Sequence, residues 1–361
     1  MVKDSLGLAA KNNLILLAKE ADLRLKKYWD EEIANDFGFN ETQRKMVREM
    51  LLHGKEHNLR SAKRLRASFV YYGFLLGKAG GYDESMWRAV EAVELVHTAL
   101  LMHDDFMDRD LVRRGGQTTQ VFFGKGDEHF GESMAVCLGD AVLCLGFERL
   151  LTCGFDSEKV NKVMKQLLRG ITNTAFGQAY DASLAKLGEM TEEKVMSLHR
   201  AKTAIYTYEN PLIIGGLLAD LSPEVLQILH DYSVDGGIAF QLQDDVLGVF
   251  GDEEKTGKSA NSDLLQGKVT LLVTKVMERG TEKEKKDIMN VWGKIKVDEK
   301  DIELAKKAIK DSGAYQYSVD VARKYAEKAA ETAKRLRGRG LDEKSIDYLE
   351  GIARYMVERE V

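Results

Sequence analysis

The chain has 361 residues, of which 44% are apolar and 31% charged, and these fractions are typical of a folded globular protein and exclude a disordered one. Its 53 Lys and Arg residues against 58 Asp and Glu give a net charge of −5, which argues against a nucleic-acid partner. Only two prolines are present, Pro211 and Pro223, and this scarcity favours helices over a β-sandwich or barrel.

The cysteines and the N-terminus indicate the compartment. Cys137, Cys144 and Cys153 are odd in number and form no C-x-x-C pair, so we expect three buried thiols in a reducing cytosol rather than disulfides or a zinc site. No run approaches the ~18 apolar residues of a membrane span. Residues 1–6 lack the apolar segment of a signal peptide. We therefore expect a cytoplasmic protein without a transmembrane segment.

Apolar residues recur at helical spacing through most of the chain. Helices are predicted, in chain order, over 8–30, 43–53, 62–76, 85–108, 133–151, 158–186, 191–209, 211–220, 223–250, 269–279, 283–294, 298–311, 314–337 and 342–359. Strand signals are almost absent, and no Pro- or Ser-rich linker divides the chain. The predicted fold is all-α: a single domain over 1–361, built as an antiparallel helical bundle whose site is formed by inward side chains on facing helices.

The sharpest feature is an acidic cluster at the end of the predicted helix 85–108. Asp104 and Asp108 are four residues apart and so share a helix face, with Asp105 beside them. Two like charges on one face destabilise a helix, and a divalent cation is the simplest compensation, since Mg²⁺ is commonly bound by one or two carboxylates plus substrate phosphates. The alternative is a solvated acidic surface, but the apolar flanks of the cluster favour a cleft.

A second Asp pair, Asp244–Asp245, ends another apolar helix. Gly248 stands where a third aspartate would complete the four-residue spacing, so we expect this cluster to be the weaker set of metal ligands. Asp252, one turn further on, is the candidate substitute, although Gly251 makes continuation of the helix doubtful.

Basic residues accompany both acidic clusters. Arg113 and Arg114 follow the first cluster and lead into two glycines, and the planar guanidinium group matches phosphate oxygens. Each cation alone is more often a solvated surface charge. Their combination with two acidic clusters indicates binding and ionisation of a diphosphate, in an apolar cavity that shelters a carbocation from water. The other basic candidates are Lys63, Arg64, Arg66, Lys202, Lys258 and Lys268.

At these residues the sequence resembles the all-trans isoprenyl diphosphate synthase family, which includes farnesyl and geranylgeranyl diphosphate synthases. The shared motifs are Lys63-Arg64-Leu65-Arg66, His97, Asp104-Asp105-x-x-Asp108, Arg113-Arg114-Gly115, Lys202-Thr203, Phe240-Gln241-x-x-Asp244-Asp245, Gly257-Lys258 and Gly267-Lys268. The chain departs from the family at Ala67, where proline is usual, and at Gly248. The resemblance implies an isoprenoid-synthase-type helical bundle around a central cavity.

The resemblance also implies a reaction and its residues. The enzyme would condense isopentenyl diphosphate with an allylic diphosphate, using about three Mg²⁺ ions. Asp104 and Asp108, supported by Asp105, would bind Mg²⁺ on the allylic diphosphate, and Asp244 would hold the third ion. The allylic diphosphate would be surrounded by Arg113, Lys202, Lys258 and Lys268. Isopentenyl diphosphate would be bound by Lys63, Arg66, His97 and Arg114. Thr203 and Gln241 would lie beside the reacting carbons, and a homodimer is expected.

Positions before the first acidic cluster bear on product length. In the family the product grows beside this helix, whose turn of about 5.4 Å matches roughly one isoprene unit. Ala99 and Leu100 stand where short-chain members have an aromatic residue, and Val96 is also modest in size. A product of twenty carbons or more is therefore favoured, and Ala99→Phe should shorten it. Candidate plugs on other helices are Phe147, Phe176 and Tyr180.

Three alternatives stay open on the sequence alone. A class I terpene cyclase would share the fold and the Mg²⁺ site but would not need the isopentenyl-binding set. A non-catalytic subunit could lose an acidic cluster, whereas the first cluster is intact. A purely structural helical protein would not be stabilised by magnesium plus diphosphate.

Overall fold

A computed structural model describes residues 5–78, 83–188, 190–251, 261–294 and 296–358. Its first half contains α1 (Ser5–Ile33), α2 (Glu41–Leu59), α3 (Leu65–Leu75), α4 (Glu84–Met107), β1 (Val112–Arg113), β2 (Gly116–Gln117), α5 (Thr119–Gly124), α6 (Glu128–Leu151) and α7 (Ser157–Leu187). Then follow α8 (Glu192–Leu198), a π-helix (His199–Glu209), α9 (Asn210–Leu218), α10 (Pro223–Phe250), α11 (Ser262–Leu265), α12 (Leu271–Arg279), α13 (Glu282–Met289), α14 (Glu299–Asp311), α15 (Ala314–Lys334) and α16 (Glu343–Val357). The predicted all-α fold is confirmed.

The chain divides into two compact units. The N-terminal unit comprises Asn12–Tyr71 and Gly80–Met164, and the C-terminal unit comprises Met1–Lys11, Tyr72–Ala79 and Lys165–Val361. The single domain expected over 1–361 stays a prediction. None of the helices in the described ranges has the length and apolar character needed to cross a membrane.

The helices that carry the two acidic clusters begin at strong capping residues. Asp83 accepts hydrogen bonds from the backbone N–H groups of Ser85 and Met86 at the start of α4. Ser222 accepts from the N–H of Val225, and Pro223 opens the first turn of α10. Because caps satisfy N–H groups that have no partner within the helix, they fix where each helix begins.

The N-terminal unit is built on the close packing of α6 against α4. A Cβ atom on Gly146 would lie 2.7 Å from Val96 Cγ2, and one on Gly131 would lie 2.1 Å from the carbonyl oxygen of Gln120 in α5. Glycine therefore sets the spacing between these helices. One buried cluster of the unit contains Leu25, Tyr28, Trp29, Leu51, Leu95, Ala99, Met102, Phe123, Met134, Leu138 and Val142.

A short β-hairpin follows α4, where the sequence suggested only a glycine-containing loop. Strands β1 and β2 pair Arg113 with Gly116, which leaves Arg114 and Gly115 as the turn. Their φ angles are 50° and 77°, the left-handed values of a type I′ turn. Arg60, directly after α2, anchors the hairpin by donating to the carbonyl oxygens of Arg113 and Gln117 at 2.9 and 2.8 Å.

The C-terminal unit is organised around α10, which packs against α15, α16 and the π-helix. The Tyr232 hydroxyl of α10 donates to the carbonyl oxygen of Leu349 at 2.9 Å. Residues 192–218 form one continuous helical stretch, whereas the sequence predicted a break before Pro211. The proline is tolerated because it directly follows the wider turns of the π-helix, whose last hydrogen bond joins the Asn210 N–H to the Ile205 carbonyl.

The prediction of three buried thiols is wrong for two of them. Cys153 is buried, but Cys137 and Cys144 are exposed on α6. Met134, Leu138 and Val142 are among the residues of this helix that enter the core, and the two cysteines lie on the opposite face.

Candidate active site

The aspartates of the first acidic cluster face different surroundings. Asp105 is fully buried, whereas the Asp104 side chain is 24% exposed and Asp108 is half-buried. Asp108 ends α4, and its N–H donates to the Asp104 carbonyl at 2.8 Å. Since residues four apart share a helix face and adjacent residues do not, Asp104 and Asp108 are the accessible carboxylates of the cluster.

Arg113 and His57 hold Asp105 inside the N-terminal unit. Arg113 Nε donates to Asp105 Oδ1 at 2.5 Å, and His57 Nε2 lies 3.5 Å from Oδ2. Burial would lower the pKa of Arg113, but Asp105, Asp104 and Asp110 outweigh it and raise the pKa, so this arginine stays charged. Asp105 is therefore fixed in place by these two side chains. Its predicted support of Mg²⁺, and the predicted contact of Arg113 with the allylic diphosphate, stay predictions.

His97 lies on α4, two turns before Asp104, and arginine side chains from other parts of the unit lie near it. Its pKa falls well below 6.5 through burial and through the charges of Arg66, Arg114 and other guanidinium groups. Arg66 Nη1 is 3.0 Å from His97 Nε2. Because arginine only donates, Nε2 is the acceptor and the ring proton is on Nδ1. The structure thus brings together three of the four residues predicted to bind isopentenyl diphosphate.

The positive charge around His97 suits an anion. Burial, and then the nearby charge of Arg64, lowers the pKa of Arg114 to about 10, and the charges of Arg113 and Arg66 act in the same direction. A bound phosphate would relieve the repulsion among these charges. The fourth predicted residue, Lys63, is exposed and lies in the same chain segment as Arg64 and Arg66.

Two residues that hold this segment in place were not assigned a role by the sequence. Arg64 is buried and pairs with Glu94 of α4 and with Asp22 of α1, at 2.8 Å in both cases. Glu94 also accepts from the backbone N–H of Ala67 at 3.0 Å. Proline has no N–H, so the unusual alanine at this position supplies a hydrogen bond that the usual residue lacks. The only sequence signal for the role of Glu94 is its position one turn before His97 on the same helix.

In the C-terminal unit, a chain of polar contacts links the π-helix to α10. Thr203 Oγ1 donates to Gln241 Oε1 at 2.7 Å, and Gln241 Nε2 donates to Asp245 Oδ1 at 2.7 Å. His199 Nε2 lies 3.1 Å from Asp245 Oδ2. The structure therefore joins Thr203 and Gln241, and their common role beside the reacting carbons stays a prediction. It adds His199, which sequence reasoning missed although it lies one turn before Thr203.

The second acidic cluster repeats the arrangement of the first. Asp245 is buried, and burial raises its pKa, while Asp244 is half-buried. In both clusters the second aspartate turns inward to a buried histidine. The first aspartate of each pair is left as the accessible carboxylate.

The predicted lysines are only partly described. Lys202 Nζ donates to Asp181 of α7 at 2.8 Å, and Lys268 Nζ lies 3.6 Å from Asp263 Oδ1. Asp181 and Asp263 were both missed by sequence reasoning. Lys258 and the candidate substitute Asp252 lie outside the described residues.

The residues predicted to control product length have different environments. Ala99 and Val96 are fully buried, and Leu100 is half-buried. Ala99 lies in the core of the N-terminal unit, and Val96 packs near Gly146 of α6. Among the candidate plugs, Phe176 is 70% exposed, whereas Phe147 and Tyr180 are half-buried. The effect of each on product length stays a prediction.

No three His, Cys, Asp or Glu side chains form a ready metal site in the portion of the chain that is described. The accessible carboxylates nevertheless suit Mg²⁺, because this ion is typically bound by one or two carboxylates together with substrate phosphates.

Comparison with known proteins identifies the family. The polyprenyl synthetase model matches residues 48–310. The geranylgeranyl diphosphate synthase of Saccharolobus solfataricus is 33% identical over 283 residues, 78% of this chain and 82% of that protein. The geranylfarnesyl diphosphate synthase of Aeropyrum pernix is 32% identical over 303 residues, 82% of this chain and 90% of that protein. A crystal structure of geranylgeranyl pyrophosphate synthase from Corynebacterium glutamicum, complexed with isoprenyl diphosphate and magnesium, is 26% identical, with a TM-score of 0.82 and 100% of both chains covered. The chain therefore belongs to the polyprenyl synthetase family and is a prenyltransferase, as the resemblance of its motifs predicts.

Proposed function

We propose that the protein extends an allylic diphosphate with isopentenyl diphosphate to an all-trans prenyl diphosphate of twenty carbons or more. One observation carries the proposal: α4 presents Asp104 and Asp108 at its end, and two turns earlier it places His97 among guanidinium groups. Carboxylates that suit Mg²⁺ and cations that suit a second diphosphate thus share one helix. The similarity to geranylgeranyl and geranylfarnesyl diphosphate synthases supports the product class.

The arginines and His97 would bind isopentenyl diphosphate. Arg66 and Arg114 supply charge for its phosphates, and Lys63 lies in the same segment as Arg66. Arg64, fixed by Glu94, holds this segment against α4. A site that is already rigid binds its ligand without a further cost in side-chain entropy.

Asp104, Asp108 and Asp244 would hold the magnesium ions. The carboxylate donor set fits this ion, and magnesium is present in the Corynebacterium glutamicum structure. When bound, magnesium would neutralise charge on the departing diphosphate. Arg113, Lys202, Lys258 and Lys268 would add positive charge around the same group.

Thr203 and Gln241 would face the reacting carbons. The Thr203 hydroxyl donates its hydrogen bond to Gln241, so the lone pairs of the hydroxyl oxygen remain available to stabilise positive charge. Gln241 is itself oriented by Asp245. Through this chain of donors, Asp245 orients Gln241, and Gln241 orients the Thr203 hydroxyl so that its oxygen could face a carbocation.

A class I terpene cyclase is the second candidate. It would need the magnesium ligands but not a site for a second diphosphate. The arrangement of Arg66, His97 and Arg114 favours the synthase, because it offers positive charge for a second diphosphate, which a cyclase does not need.

Product analysis tests the proposal. The purified protein is incubated with magnesium, isopentenyl diphosphate and, separately, five-, ten- and fifteen-carbon allylic diphosphates, and the dephosphorylated products are sized. We expect linear alcohols of twenty carbons or more, and a loss of at least about 100-fold in kcat for Asp104→Asn. The exposed Asp36→Asn is the matched control and should retain full activity. Cyclic hydrocarbons would assign the cyclase instead, and no turnover by folded protein would indicate a modulatory subunit.

We also propose that the protein forms a homodimer, as the resemblance to the family implies. The exposed face of α6, with Val136 and Leu151, offers apolar surface in support. The mass in solution, measured by light scattering, should be twice the chain mass of 40.5 kDa. A monomer at micromolar concentration would contradict this.

A further inference from the structure

The gap left by Gly248 in the second acidic cluster is filled from elsewhere in the C-terminal unit. A Cβ atom on Gly248 would lie 2.6 Å from Asp263 Oδ2 and 3.3 Å from Asp263 Cγ. The carboxylate of Asp263 therefore lies against α10 at the point where a third aspartate would leave the helix. Any larger residue at position 248 would displace this carboxylate.

Backbone contacts hold Asp263 at this point. The N–H of Asn261, directly before α11, donates to the Gly248 carbonyl at 3.0 Å. The Lys268 N–H donates to the Asp263 carbonyl at 2.9 Å. Leu264 is buried in one cluster with Val249 of α10, and this burial anchors the short helix α11. Backbone hydrogen bonds and the burial of Leu264 thus fix the position of Asp263.

The electrostatic surroundings of Asp263 connect it to the proposed site. Its carboxylate Oδ1 lies 3.6 Å from Lys268 Nζ, a lysine predicted to bind the allylic diphosphate. Asp263 therefore lies between a proposed diphosphate ligand and the second acidic cluster.

We infer that Asp263 supplies the third carboxylate of the second acidic cluster, in place of the side chain that Gly248 lacks. This inference rests on the proposed function and deepens it. Asp263 acts with Asp244 on magnesium and diphosphate, and it positions Lys268 beside them. The missing aspartate on α10 is thereby replaced in space by one that is fifteen residues later in the sequence.

Moving the carboxylate between the two positions tests the inference. The variants are Asp263→Asn, Gly248→Asp and the double variant, with Asp298→Asn as control, an exposed residue at the start of α14. Two quantities are measured for each: the magnesium concentration that gives half-maximal turnover, and the rise in Tm caused by magnesium with inorganic diphosphate. The second needs no turnover.

Asp263→Asn should raise the half-saturating magnesium concentration about tenfold and remove most of the rise in Tm. The double variant should return to within about threefold of the original protein, since a carboxylate is restored beside α10. An Asp263→Asn variant with unchanged magnesium dependence and unchanged rise in Tm would overturn the inference. So would a folded double variant that recovers neither quantity. If the original protein shows no prenyl transfer but its rise in Tm depends on Asp263, the proposed function fails while the inference stands.

Discussion

Buried charge at single residues decides the shape of the N-terminal site. Arg64 and Arg113 are both buried, and each remains charged because carboxylates meet it. A buried ion pair contributes little net stability, but the loss of one partner is costly because the other charge is left without compensation. These arginines therefore fix backbone segments, one before α3 and one in the hairpin.

Glu94→Gln should be among the most destabilising single substitutions in this unit. It leaves the charge of Arg64 buried beside a neutral amide, and we expect the free energy of unfolding to fall by about 3 kcal/mol. Denaturation with urea measures the change. Asp22→Asn is the matched control, because it removes the more exposed partner of the same arginine and should cost less than about 1 kcal/mol. Equal effects of the two variants would show that burial does not govern this pair.

Ala99→Phe should shorten the product and also destabilise the protein. The position is fully buried in the core with Trp29 and Leu95, so the larger ring overpacks it by about 1–3 kcal/mol. Leu100→Phe, at the half-buried neighbouring position, is the comparison. Product sizing and urea denaturation are made on both variants. If Ala99→Phe still yields the original chain length, Ala99 does not line the path of the growing product.

At the scale of helices, local sequence signals were sufficient for α4 and α10. Asp83 and Ser222 cap these helices, and the apolar period continues to the aspartates at their ends. The π-helix could not be predicted, because its wider turns depend on packing against α10 and leave no local signal. Pro211, which reads as a helix breaker, therefore placed a false boundary in the sequence prediction.

The glycines of α6 should differ in their tolerance of alanine. A Cβ atom on Gly131 meets backbone of α5, so Gly131→Ala must move the helices apart and should cost more than about 2 kcal/mol. The three atoms nearest to a Cβ atom on Gly139 all belong to the side chain of His103, which can rotate. Gly139→Ala should therefore cost less. Thermal denaturation of both variants gives the order, and a reversed order would show that His103 is the more rigid neighbour.

For the molecule as a whole, the sequence indicated candidate site residues but not the partners that hold them. The spacing of Asp104 and Asp108 follows from helix geometry and needs no tertiary information. The pairing of His57 with Asp105, and of Lys202 with Asp181, joins residues 48 and 21 positions apart. Such contacts depend on how helices pack, and a single sequence does not encode them in any local pattern. The division of each Asp pair into an inner and an outer carboxylate was missed for the same reason.

The pH dependence of unfolding is a property of the whole chain, and His53 should contribute to it. Burial, followed by the charges of His57 and Arg60, lowers its pKa from the usual 6.5 to about 4. Between these values the unfolded chain binds a proton that the native chain does not. The neutral His53 therefore contributes its full share of the unfolding free energy above pH 6.5, and this contribution is lost as the pH falls towards 4. When the pH is lowered from 7 to 4.5, the His53→Gln variant should lose about 2 kcal/mol less unfolding free energy than the original protein. Urea denaturation at both pH values measures it, with the exposed His129→Gln as control, and equal losses in the two variants would refute the assignment.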